Sequence, residues 1–137
     1  MSEASVKRVL DVPARKVWDL IADFGDVSWM PAGTRVEIEG DGPGMARLIG
    51  AGEQTIREVL ESRDAETRTL VYTIPEGIPF PVTGYRATMI VGDSGDGCEL
   101  EWRCSFEPDG VSEEQAVGII EGMYGAMIGW VAERAAQ

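Results

Sequence analysis

The chain has 137 residues, 44% hydrophobic and 26% charged, a mixture that favours one globular domain over residues 1–137 and disfavours disorder. Its 12 Lys and Arg stand against 24 Asp and Glu, a net charge of −12 with no basic stripe, which argues against nucleic acid and anionic lipid as partners. No apolar run approaches the ~20 residues of a membrane span. With no secretory pattern in residues 1–30, a soluble, cytoplasmic protein is expected.

Residues 5–12 favour a strand, and Pro13 suits the first turn of a helix, where a missing N–H is tolerated. Val17, Trp18, Leu20, Ile21 and Phe24 then recur at helical spacing, and Gly25 ends the helix. Phe24 to Met30 has room for a second short helical turn before Pro31. From Thr34 to Glu39 the pattern changes to strict alternation. The turn Asp41-Gly42-Pro43-Gly44 leads into a strand over 45–51, and Gly52-Glu53 leads into a longer one ending near Arg63. Further strands are predicted over 68–74, 82–92 and 97–107, with a stiff proline-rich loop over 75–81. Ser112 with Gln115 marks a capping box, with Glu113 and Glu114 in the first turn of a long final helix. On that helix Ala116, Ile120, Met123, Tyr124, Met127 and Val131 are expected on one apolar face. The predicted order is strand, helix, six strands and a long helix, with the later strands an antiparallel meander.

The chain contains no histidine, which removes Ser-His-Asp and Cys-His nucleophile systems and His-ligated zinc. No metal-ligand cluster is visible and no cofactor is expected. Gly42-Pro43-Gly44 lies between strands rather than opening a helix, so it does not read as a nucleotide loop. Cys98 and Cys104 fall on one strand roughly 20 Å apart, too far for a disulfide, and read as reduced core residues.

Several ordered motifs carry a family resemblance. They are Val12-Pro13-Ala14 through Val17-Trp18, Asp23-Phe24-Gly25, Trp29-Met30-Pro31, Gly42-x-Gly44-x-x-Arg47, and Glu58 to Glu61. Tyr72-x-Ile74, Pro79-x-Pro81, Tyr85-x-x-Thr88, Trp102 and Ile120-Glu121-x-x-Tyr124 follow. With them the chain resembles the START-like (SRPBCC) superfamily, most of all its polyketide cyclase/dehydrase-like branch, related to plant abscisic-acid receptors and the birch pollen allergen. The resemblance implies an α+β helix-grip fold, a curved seven-stranded antiparallel sheet wrapped around a long C-terminal helix. Lipid carriers, hormone receptors, cyclases and co-chaperones share that fold, so fold alone does not assign an activity.

Strand parity indicates what faces the grip. Cys98, Leu100, Trp102, Cys104 and Phe106 share one apolar face against Glu99, Glu101, Arg103 and Glu107. The same parity turns Met45, Arg47 and Ile49 inward, then Ile56, Glu58 and Leu60, then Leu70, Tyr72 and Ile74, then Thr83, Tyr85, Ala87 and Met89. Arg47 and Glu58, on adjacent strands, are expected to meet each other or an anionic ligand, because an unpaired interior charge is costly. The Tyr72 and Tyr85 hydroxyls suit a carboxylate or carbonyl oxygen, and Trp102, Met123, Tyr124 and Met127 complete a candidate binding surface. The same residues also read as a structural ion pair and core rings.

Two segments are candidates for the mouth. In the 75–81 loop Pro75, Ile78, Pro79, Phe80 and Pro81 form either a gate, as the related receptors imply, or a stiff connection. Trp29-Met30-Pro31 lies near the same mouth, or Trp29 plugs the core. Gly118, Gly122, Gly125 and Gly129 align on the last helix, as a seam for a homodimer or as plain surface of a monomer. Three functions follow. The first is binding of a small hydrophobic molecule, with no other partner implied. The second is a cyclase or dehydratase in which Glu58 is the general base and Arg47 or Tyr85 stabilises an enolate. The third is a co-chaperone-type protein contact.

Overall fold

The computed structural model describes residues 1–51 and 54–137, and the Gly52-Glu53 link lies outside the described residues. The elements are β1 (Ser2–Leu10), α1 (Ala14–Ala22), β2 (Arg35–Glu39), β3 (Ala46–Ala51), β4 (Gln54–Asp64), β5 (Thr69–Glu76), β6 (Val82–Ser94), β7 (Gly97–Pro108) and α2 (Glu113–Ala135). They form one curved antiparallel sheet in the order β1-β7-β6-β5-β4-β3-β2. The inward faces of its strands and the buried side of α2 share one hydrophobic core. This is the expected α+β helix-grip architecture.

Local rules account for the element ends. The Gln115 backbone N–H donates to Ser112 Oγ and the Ser112 N–H donates to Gln115 Oε1, both at 3.1 Å, completing the capping box of α2. At the C-terminal end of α1 and just past it, arginines meet backbone carbonyls. Arg63 donates to the Ala22 oxygen at 2.6 Å and Arg47 to the Phe24 oxygen at 3.1 Å. Phe24 to Met30 forms turns rather than a second helix, closed by Asp26 N–H to Asp23 O and Met30 N–H to Val27 O. The first strand begins at Ser2, earlier than predicted, because pairing with β7 runs from Ser2 opposite Phe106 to Leu10 opposite Cys98.

Two inward assignments need correction. Thr83 is exposed and Val82 is buried. A bulge in β6 between Thr83 and Arg86 inserts an extra residue against β7, with Gly84 at φ +63°, so alternation skips there and resumes at Tyr85. Met123 is 39% exposed, while Ile128 is fully buried. The buried stripe of α2 runs through Ala116, Ile120, Tyr124, Ile128 and Val131, and Met127 packs half-buried at its border. At about 100° per residue, Tyr124 and Ile128 lie to one side of Ile120 and Met123 to the other, and the seating of α2 on the sheet buries the first side and leaves Met123 at the rim.

Among the described residues no helix is long and apolar enough to cross a membrane, and no group of three His, Cys, Asp or Glu is placed to hold a metal ion. Cys98 and Cys104 are free and buried, and burial pushes both thiols up from their ordinary range. A Cβ at Gly118, Gly122 or Gly129 would meet nothing within 4 Å, so that side of α2 is open, while at Gly125 it would meet the Arg8 guanidinium.

Candidate functional site

Arg47 on β3 and Glu58 on β4 are directly paired across the ladder, which aims both side chains to the interior at the same level. Arg47 Nε donates to Glu58 Oε1 at 2.6 Å, with the two side chains only 4% and 9% exposed. Arg47 Nη1 reaches the Phe24 carbonyl, and its guanidinium carbon lies 4.0 Å from the centre of the Phe24 ring. The guanidinium is therefore held by one carboxylate, one carbonyl and one π face. Helical spacing grouped Phe24 with the apolar residues of α1. Its second role follows from the unsatisfied carbonyls beyond a helix C-terminus, which attract arginine.

A ring cluster adjoins this pair. Tyr72 on β5, Tyr85 on β6, Trp102 on β7 and Tyr124 on α2 are all buried. The Trp102 indole donates to the Tyr72 hydroxyl at 3.1 Å, and the Tyr85 and Tyr124 hydroxyls hydrogen-bond each other. Trp102 stacks on Tyr124 with centroids 5.2 Å apart. Burial raises the Tyr72 phenol above its ordinary range, and the nearby Glu58 charge adds to that. Burial likewise raises Tyr85, with Tyr72 and Tyr124 contributing, and raises Tyr124. All three phenols are thus neutral hydrogen-bonding groups at physiological pH.

The structure brings Arg47, Glu58, Tyr72, Tyr85, Trp102 and Tyr124 together, keeps Met127 at the border and places Met123 outside. It also changes the loop. Pro75 belongs to β5, where the register shift in the β4–β5 pairing accommodates a residue without an N–H. Gly77, at φ +74°, lies so close to β4 that a Cβ would sit 2.1 Å from the Thr55 carbonyl oxygen. Phe80 is buried with its ring 5.7 Å from that of Tyr85. Ile78 is half-buried against the core. The loop is seated with its apolar side chains inward.

Trp29 is buried, with its ring edge-on to Trp102 at 6.0 Å and 6.0 Å from the Arg47 guanidinium carbon. It also lines a groove of about 390 Å³ with Ser28, Met30 and Pro31 on one side and Trp130 and Arg134 of α2 on the other. Two further grooves, of about 600 and 530 Å³, run along β1, β7 and β6 beside Arg86 and Arg103, and along β2–β4 beside Arg35 and Leu48.

Residues 1–136 match the family described as Polyketide cyclase / dehydrase and lipid transport. The chain belongs to this family. None of the curated proteins compared matches it. Among solved structures, a Thermobifida fusca protein is 31% identical over 98% of this chain and 93% of its own, with a TM-score of 0.85. XoxI from Bacillus cereus is 24% identical over 100% and 97%, with a TM-score of 0.84. Norcoclaurine synthase from Thalictrum flavum, solved with dopamine and hydroxybenzaldehyde, is 21% identical over 98% and 86%, with a TM-score of 0.75. The last two likenesses concern the fold alone. The helix-grip fold of this cyclase/dehydrase and lipid-transport family generally binds small hydrophobic ligands between sheet and helix.

Proposed function

We propose that the protein binds one small, mainly apolar molecule between the sheet and α2, within the cluster of Arg47, Glu58, Tyr72, Tyr85, Trp102 and Tyr124. The observation that carries this reading is the buried Arg47–Glu58 pair beside three buried phenols. A core needed only for stability gains little from such groups, because an apolar replacement of a buried ion pair is often as stable or more so. An apolar interior with a few convergent polar groups is instead the usual make-up of a small-molecule site.

Phe80 occupies the interior beside Tyr85, and we assign it and the loop through Pro81 as the element that yields to the ligand. Binding is favoured over cyclase or dehydratase chemistry by the state of Glu58. Glu58 Oε1 lies 2.6 Å from Arg47 Nε and neutralises that buried guanidinium, so taking up a proton as a general base would leave the cation uncompensated.

The test is titration with the neutral dye N-phenyl-1-naphthylamine, together with native mass spectrometry of protein purified from cells. Saturable 1:1 enhancement of dye fluorescence, displaced by a co-purified compound, is the expected result. A bare chain mass with no saturable dye binding would refute the proposal.

A further inference from the structure

We infer that the Trp29 indole N–H is the hydrogen-bond donor for a neutral carbonyl oxygen on the ligand, so that the site selects uncharged aldehydes, ketones or esters over carboxylates. The inference rests on the binding reading above and deepens it. Among the described residues, Trp29 Nε1 is the one fully buried side-chain nitrogen or oxygen that lacks a hydrogen-bond partner. The residue is only 5% exposed. A buried donor left unpaired is destabilising, so the position is costly unless an acceptor arrives.

The neighbouring polar groups are already engaged. Trp102 donates to Tyr72, Tyr85 is bonded to Tyr124, and Arg47 is bonded to Glu58 and the Phe24 carbonyl. Trp29 lines a groove together with Trp130 and lies 6.0 Å from both the Trp102 ring and the Arg47 guanidinium carbon.

The charge balance decides the class of acceptor. The buried cation near Trp29 is Arg47, and Glu58 already neutralises it. A carboxylate beside Trp29 would be a second buried anion with no cation of its own, which is strongly unfavourable. Arg134 at the groove does not change this. It is exposed, stands next to Glu133 and is bonded to Ser28 and Gln137. A carbonyl oxygen accepts from an indole N–H without importing charge.

The experiment uses three matched probes, 2-ethylnaphthalene, 2-acetylnaphthalene and 2-naphthoate, titrated into the native protein and into Trp29→Phe by calorimetry. The ketone should bind native protein about tenfold more tightly than the hydrocarbon, and the carboxylate more weakly than the ketone. In Trp29→Phe that advantage of the ketone should shrink to within about twofold. A ketone advantage that survives Trp29→Phe, or a preference for the carboxylate, overturns the inference while leaving the binding reading intact. Failure of all three probes to bind overturns both. A second readout needs no variant: the Trp29 indole proton should shift downfield in NMR spectra with the ketone and not with the hydrocarbon. Equal shifts with both probes would also overturn the inference.

Discussion

Arg47→Met is the most informative perturbation of the site. It keeps most of the aliphatic stem but removes the guanidinium, leaving Glu58 in a position where its side chain is 9% exposed. Breaking a buried pair in this way costs about 3–5 kcal/mol, because the remaining charge is uncompensated. The Phe24 carbonyl also loses its donor and the Phe24 ring loses a cation 4.0 Å from its centre, which places the effect toward the upper end of that range. Glu58→Gln leaves an acceptor for Arg47 Nε and should cost less, about 1–3 kcal/mol. The double variant Arg47→Met with Glu58→Leu removes both charges and should recover to within about 1 kcal/mol of the native protein. Urea unfolding followed by tryptophan fluorescence measures all three. With a slope of about 1.5 kcal/mol per molar urea, Arg47→Met should lower the midpoint by roughly 2–3 M at unchanged slope. A double variant as unstable as Arg47→Met would refute the reasoning, since packing rather than the stranded charge would then be the cause.

Two further outcomes are expected. The protein has three tyrosines, all buried here with phenols raised above the ordinary value. Above about pH 10 the unfolded chain therefore releases protons that the native state retains, and stability should fall by up to roughly 1.4 kcal/mol per pH unit for each tyrosine. Tyrosinate absorbance near 295 nm should accordingly appear only with unfolding, and a gradual rise in the still-folded protein would contradict the buried assignment. Phe80→Ala removes the ring seated on Tyr85 and should cost about 3–4 kcal/mol in urea unfolding while accelerating N-phenyl-1-naphthylamine binding in stopped-flow. Unchanged association would show that the loop does not control access.

The helix-grip order was legible because its signals are local. Alternation in β7 separates Cys98, Leu100, Trp102, Cys104 and Phe106 from the charged residues between them, and Ser112 with Gln115 marks the start of α2. The Arg47–Glu58 pairing was legible for the same reason, since parity turned both inward on adjacent strands. What alternation does not contain is a break in its own period. The bulge at Gly84 exchanged Thr83 for Val82, and nothing in the flanking hydrophobicity distinguishes that glycine from one in a regular strand. Met123 and Phe80 illustrate a different limit. Both are apolar, and whether such a residue is rim or interior depends on the orientation of a whole helix or loop against the sheet, a tertiary property. The lone donor on Trp29 is further out of reach, because it depends on which acceptors the folded chain leaves nearby.

The pattern of satisfied and unsatisfied groups bears directly on how the site works. Each buried phenol is bonded to another buried ring or phenol, and the buried charges neutralise each other. The interior is thereby stable without a ligand, and Phe80 adds apolar contact at the same place. A ligand must displace some of these contacts, so only the surplus over what the protein already makes with itself appears as affinity. Apolar surface alone yields little surplus, since Phe80 supplies comparable contact when seated. A hydrogen bond to the Trp29 N–H replaces no contact within the protein, so only the desolvation of the ligand's carbonyl offsets it. Discrimination between molecules of similar size and hydrophobicity should therefore depend on the one acceptor they present to Trp29, while the seated loop sets how fast they bind.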